Sequence, residues 1–175
     1  MEENATSEKV TVMSVGLKFG LFITALSIAF NVIIIVLGSN PLISDWKGWV
    51  VLAIEVVLVV LAHKNFKDNG DGFMTYGQGF WIAFISFLVA IFVGGIFMFI
   101  YSNFVDPNML EEVWQKTASD MEAKGQNQET IDIAITWTKK LFWVIYFFFG
   151  TFFAAVIGLI VPIFTQKKNP DAIPM

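Results

Sequence analysis

The sequence predicts an all-α membrane protein, a four-transmembrane-helix bundle with an amphipathic helical hairpin between spans three and four. Three observations predict it. Long apolar runs at about residues 14–37, 46–62, 77–104 and 141–165 alternate with short polar stretches. Crossing a bilayer core takes about 20 mostly apolar residues at about 1.5 Å each, so three runs suffice and the second falls slightly short. The mean hydropathy of +0.67 and the 56% share of hydrophobic residues belong to a chain solvated mostly by lipid. Finally, small residues recur in the runs at steps of three and four. Lipid is as apolar as leucine, so helices within it associate through such stripes and through interhelical hydrogen bonds.

The first run carries Gly16, Gly20, Thr24, Ser27 and Asn31 in one narrow sector. It is preceded by MEENATSEKVTV, acidic where a secretory signal would be basic, and is expected to be a retained span. Lys18, about one turn inside, is expected to snorkel to the headgroups, with pairing to Glu55 as the alternative. The second run places Gly48, Glu55 and Ala62 on a common face. HKNFKDNGDGFMTYGQG follows it. There Asn69-Gly70 and Asp71-Gly72 are turn formers. The resemblance to an EF-hand fails, because Gly70 stands at the third ligand position and Gly79 at the twelfth. His63, Lys64 and Lys67 are candidate contacts to anionic lipid phosphates, the plainer reading being a positive-inside anchor.

The third run offers Gly79, Ala83, Ser86, Ala90 and Gly94. Asp106-Pro107 then predicts a helix start, and Leu110, Val113, Trp114, Thr117 and Met121 recur at helical spacing up to a stop at Gly125. Asn127 caps a second helix, whose apolar face holds Ile131, Ala134, Ile135 and Thr138 and which runs on through Lys139 and Lys140. This hairpin is expected to lie on the membrane or to dock a partner through Leu110, Val113, Trp114, Met121, Ile131 and Ile135; covering the bundle's own end is the other reading. In the fourth run Gly150, Ala154 and Gly158 repeat every four residues and lead to Pro162. Residues 1–175 form a single membrane domain.

An even number of spans puts both termini and the second loop on one side, with Lys9, Lys18, Lys64, Lys67, Lys167 and Lys168. Lys47, Lys116, Lys124, Lys139 and Lys140 fall on the other. The positive-inside rule then predicts cytoplasmic termini in a bacterial inner membrane. Trp46, Trp49, Tyr101, Trp114, Trp137, Trp143 and Tyr146 belong to the hairpin side and are expected to anchor that interface.

Composition narrows function by exclusion. Cysteine is absent, which removes thiolate nucleophiles, disulfides and cysteine metal sites. The lone His63 leaves zinc and haem without their usual ligands. All eleven basic residues are lysines and the net charge is −4, so nucleic acid is not an expected partner. No cofactor, metal site or catalytic set is expected. Glu55 stands out, since a carboxyl near mid-span costs about 2.5–3.5 kcal/mol by insertion scales and usually faces the bundle. Depths counted from the hairpin-side ends place Glu55, Asn31 and Thr151 level, so the three are expected to meet, Glu55 donating to Asn31 when protonated. That cluster would be either a structural clasp or the centre of a proton- or ion-coupled transporter or lipid-handling protein. The leading expectation is a non-enzymatic accessory or scaffold subunit, with the bilayer and a membrane protein or a second copy as partners.

HKNFKDNGDGFMTYGQGF after the second span, YSNFVDPN at the end of the third and MEAKGQNQETIDIA before the last resemble the bacterial membrane family "domain of unknown function 4199", seen mostly in Bacteroidota. The resemblance covers nearly the whole chain. It implies the four-span architecture and carries no catalytic residues over to this sequence.

Overall fold

The structure, a computed structural model, describes residues 10–43 and 46–170; Lys9, counted above, lies outside them. Helices α1 (Val12–Val36), α2 (Trp46–Asp68) and α3 (Tyr76–Ile100) are followed by a π-helical turn (Tyr101–Val105), then by α4 (Asn108–Ala123) and α5 (Gln128–Thr165). Among the described residues four helices are long and apolar enough to cross a membrane: α1, α2, α3 with its π turn, and α5. The chain is an all-α multi-pass membrane protein, as its sequence predicts. Leu21, Phe22, Ile33, Val57, Phe148, Phe152, Phe153 and Phe164 project outward, forming an apolar surface that hydrocarbon solvates and water does not.

The helix ends follow local chemistry. Thr11 Oγ1 accepts from the Ser14 amide at 3.0 Å while Ser14 Oγ accepts from the Thr11 amide at 3.1 Å, a reciprocal cap on α1. Thr75 and Gln78 repeat it on α3. Gly38 (φ +74°) ends α1, its N–H bonding the Ile35 carbonyl while that of Ser39 reaches Ile34. Gly125 (φ +78°) ends α4 in the same way, through Glu122 and Met121. Asn127 Oδ1 caps α5 by accepting from the Thr130 amide at 2.8 Å. The expected side-chain cap at Asp106 does not form. The Asp106 N–H instead reaches back to the Tyr101 carbonyl at 2.9 Å, closing the π turn, and α4 begins only after Pro107.

The bundle is organised around α3, with α1 on one side and α5 on the other. Small residues make the close approaches. A methyl group on Gly16 would sit 2.8 Å from Ile85 Cγ2, and one on Gly20 would sit 2.7 Å from Val89 Cβ. Toward α5, Gly79 faces Pro162, Gly95 faces Phe147, Gly150 faces Ile91 and Gly158 faces Phe80. The Ser86 hydroxyl shares its proton between the Ile82 carbonyl of its own helix at 2.8 Å and the Gly16 carbonyl across the α1–α3 seam at 3.1 Å. Gly94, expected on the contact stripe, has open space before it. Serving two neighbours, α3 carries two contact faces, and its last small contact toward α5 is Gly95.

Helix α5 unites the second hairpin helix and the fourth span in one rod of 38 residues. At 1.5 Å per residue it is about 57 Å long, against about 30 Å for a bilayer core. Its N-terminal part therefore stands clear of the hydrocarbon, and α4 folds back on it. Here the expected docking surface needs correction. Val113, Trp114 and Ile131 are buried and Leu110, Met121 and Ile135 half-buried, because the apolar faces of α4 and α5 cover one another. Trp114 packs edge-on against Phe142 with centroids 5.2 Å apart. The Asn40 amide donates to the Met109 carbonyl at 2.7 Å and to Glu112 at 3.1 Å, tying the first loop to α4. Trp46 and Trp49 are exposed, as an interfacial belt requires, whereas Trp137 is exposed on the projecting part of α5, Trp114 is core and an exposed Trp81 sits near the opposite end.

Candidate functional site

Two polar contacts inside the bundle converge on α2. In the first, the Ser27 hydroxyl of α1 donates to Glu55 Oε1 at 2.7 Å, and Tyr146 of α5 lies within electrostatic range of the same carboxyl. Glu55 therefore faces the bundle, as its cost in hydrocarbon demands. Its hydrogen-bond partner is not the expected Asn31. Asn31, one turn on, lines a small cavity of about 60 Å³ with Pro41, Ile43, Lys47 and Gly48. Thr151 is half-buried farther along α5 and takes part in no hydrogen bond with Glu55. Lys18 opens onto a separate hollow beside Asn65 and Asn69 and makes no ion pair with Glu55.

The second contact lies near the other end of α2. His63 is wholly buried, with Nδ1 2.7 Å from Thr165 Oγ1 and Nε2 2.9 Å from the Gly79 carbonyl. A carbonyl only accepts, so Nε2 carries the proton; in the neutral ring Nδ1 then accepts from the Thr165 hydroxyl. This overturns the expectation that His63 meets lipid phosphates. Its ring is a three-way junction joining α2, α3 and α5. Lys67 reinforces the junction by donating from Nζ to the Thr165 carbonyl at 2.8 Å, one of the carbonyls a helix end leaves without an intrahelical partner.

Beyond the junction the chain forms an open basin of about 450 Å³, lined by Lys64, Lys67, Asp68, Gly70, Gly72 and Lys167. Asp71 Oδ1 accepts from the Phe73 amide at 3.0 Å, and Gly72 adopts φ +84°, so the predicted turn residues do shape this loop. Met74 and Lys167 then exchange two backbone hydrogen bonds of 2.9 Å each, strapping the loop to the segment after α5. Tyr146, Thr165 and Lys167 were not expected at either place. Nothing in their local sequence marks them, because each meets α2 only through tertiary packing. No group of three or more metal-ligating side chains occurs among the described residues.

No curated protein and no solved structure matches this chain. A family model does, over residues 18–167, from Lys18 through the two contacts to the strap at Lys167. The chain belongs to the family described as "Protein of unknown function (DUF4199)".

Proposed function

We propose that the protein is a non-enzymatic accessory or scaffold subunit of a membrane complex in the bacterial inner membrane, with cytoplasmic termini and the α4–α5 hairpin on the opposite side. One observation carries this reading. Ile133, Trp137, Leu141, Val144 and Phe148 are all exposed and follow one another along α5 at steps of four and three, an unbroken apolar stripe from the projecting part of the rod into the bundle. Lipid wets the lower part, but Ile133 and Trp137 stand on the projecting part, where a protein following the stripe would cover them. Lys18, Lys64, Lys67, Lys167 and Lys168 gather at the end opposite the hairpin, which supports the sidedness. A photo-crosslinking residue at Ile133 or Trp137 in native membranes should give one dominant protein adduct, while the same residue at Ser119 gives none. Adducts to lipid alone would overturn the reading.

A second reading, a small proton- or ion-coupled transporter, is favoured by the Ser27–Glu55–Tyr146 cluster. It predicts proton-dependent flux in liposomes that Glu55→Gln abolishes while leaving the fold intact.

A further inference from the structure

We infer that the basin at the end of α2 binds a phosphate group, presented by an anionic phospholipid headgroup or by a soluble phosphate. The inference is independent of the accessory-subunit reading. Three lysines line it from segments about a hundred residues apart: Lys64 and Lys67 on the last turns of α2, and Lys167 just after α5. Among the described residues Asp68 is the one carboxylate lining the basin, and none of the three lysines forms an ion pair with another described residue. Asp68 offsets one of these charges, and the remaining positive excess favours an added anion.

Two of the lysines are held in place by contacts of their own, and Lys64 is exposed. Lys67 is fixed by its bond to the Thr165 carbonyl. The backbone of Lys167 is fixed by the two-bond bridge to Met74, and its ammonium lies 5.4 Å from the Phe73 ring centroid. Gly70 and Gly72 add no side chains to the lining, and Gly72 has open space around it. The height is also right. Exposed Tyr76 and Trp81 flank this end of the bundle, the residue types that mark the headgroup zone. Lysine is suited to the task as a point charge for phosphate oxygens.

The test uses the full-length protein in a neutral detergent, titrated with short-chain phosphatidylglycerol, with short-chain phosphatidylcholine and with inorganic phosphate, and read by native mass spectrometry. Lys64→Gln/Lys167→Gln leaves the Lys67 bond intact, and Lys116→Gln/Lys124→Gln removes equal charge from the hairpin side. Each basin lysine near a charged headgroup is worth about fivefold in affinity, so the basin double variant should bind phosphatidylglycerol about 25-fold more weakly and the hairpin variant unchanged. Displacement of that lipid by millimolar inorganic phosphate, with the same dependence on Lys64 and Lys167, would identify a soluble phosphate as ligand; failure of phosphate to compete would identify the lipid. Equal binding by all variants, or equal losses in both double variants, would overturn the inference.

Discussion

Two halves of this bundle are held together by different physics. Helices α1, α3 and α5 meet through glycine, at Gly16 and Gly20 on one seam and Gly79, Gly95, Gly150 and Gly158 on the other. Helix α2 lacks such contacts, and Gly48 faces open space. Its attachment rests on Ser27–Glu55 in the middle and on the His63–Thr165–Gly79 junction at the end, with Val59, Ala62 and Phe66 buried between and around them. Glycine seams act through van der Waals contact, which fades within an ångström of separation. Polar contacts in hydrocarbon are directional, and losing one leaves a group with no water to turn to. The first kind should fail by steric excess and the second by subtraction.

The largest effect is expected on a seam. In Gly20→Leu the new Cβ would lie 2.7 Å from Val89 Cβ and 3.0 Å from the Ser86 carbonyl, atoms fixed to the α3 backbone, so α1 must lift away. A loss of about 3 kcal/mol is expected, the upper end of overpacking costs, read as a lower unfolding midpoint in detergent. An unchanged midpoint would mean that the seam is looser than its geometry implies. His63→Leu should come next, at about 2 kcal/mol, because the bonds that tie α2 to Gly79 and Thr165 are lost, the Thr165 hydroxyl keeping only the Val161 carbonyl of its own helix. Its signature is local. The chain has no native cysteine, so a single cysteine at the buried Ala62 reports on α2 alone. Maleimide labelling there should rise in His63→Leu and stay near background in Gly20→Leu; the reverse would break the distinction between the halves.

How much of this was legible in the sequence follows the same division. Hydropathy, the stop at Gly125, the cap at Asn127 and five of the seam glycines are local or periodic signals, and the structure bears them out. Polar partners were harder, because depth alone does not pair side chains. Counting from the true helix ends, Ser27 stands nine residues before Val36 and Glu55 nine after Trp46. Asn31 stands only five residues before Val36, one turn too shallow to meet Glu55. His63 looked like a surface residue because the apolar run stops at Ala62, yet α2 continues to Asp68 and Gly79 of α3 and Thr165 of α5 meet the ring there. The hairpin face is apolar as its spacing indicates, and much of it is covered within the chain, since a helix pair buries its own faces first.

A double-mutant cycle sharpens the mid-span contact. Ser27→Ala and Glu55→Gln, alone and together, should show a coupling of about 0.6–1.7 kcal/mol, the range found for hydrogen bonds between membrane helices. Gln retains an acceptor for the Ser27 hydroxyl, so Glu55→Gln alone should cost less than His63→Leu. A coupling near zero would mean that the hydroxyl satisfies itself on its own helix and that α2 hangs from the His63 junction alone.

The smallest effect separates two adjacent glycines. At Gly95 a methyl group would meet the Phe147 ring at 2.7 Å, the swinging end of a side chain, so Gly95→Ala should cost about 1 kcal/mol as the ring adjusts. At Gly94 nothing lies within 4 Å, and alanine is the better helix former by up to about 1 kcal/mol. Gly94→Ala should therefore leave the unfolding midpoint unchanged or slightly raised. If it instead lowers recovery of a co-purifying protein while the midpoint holds, the open sector of α3 is where another helix docks. The glycine physics that joins α1, α3 and α5 would then extend beyond this chain.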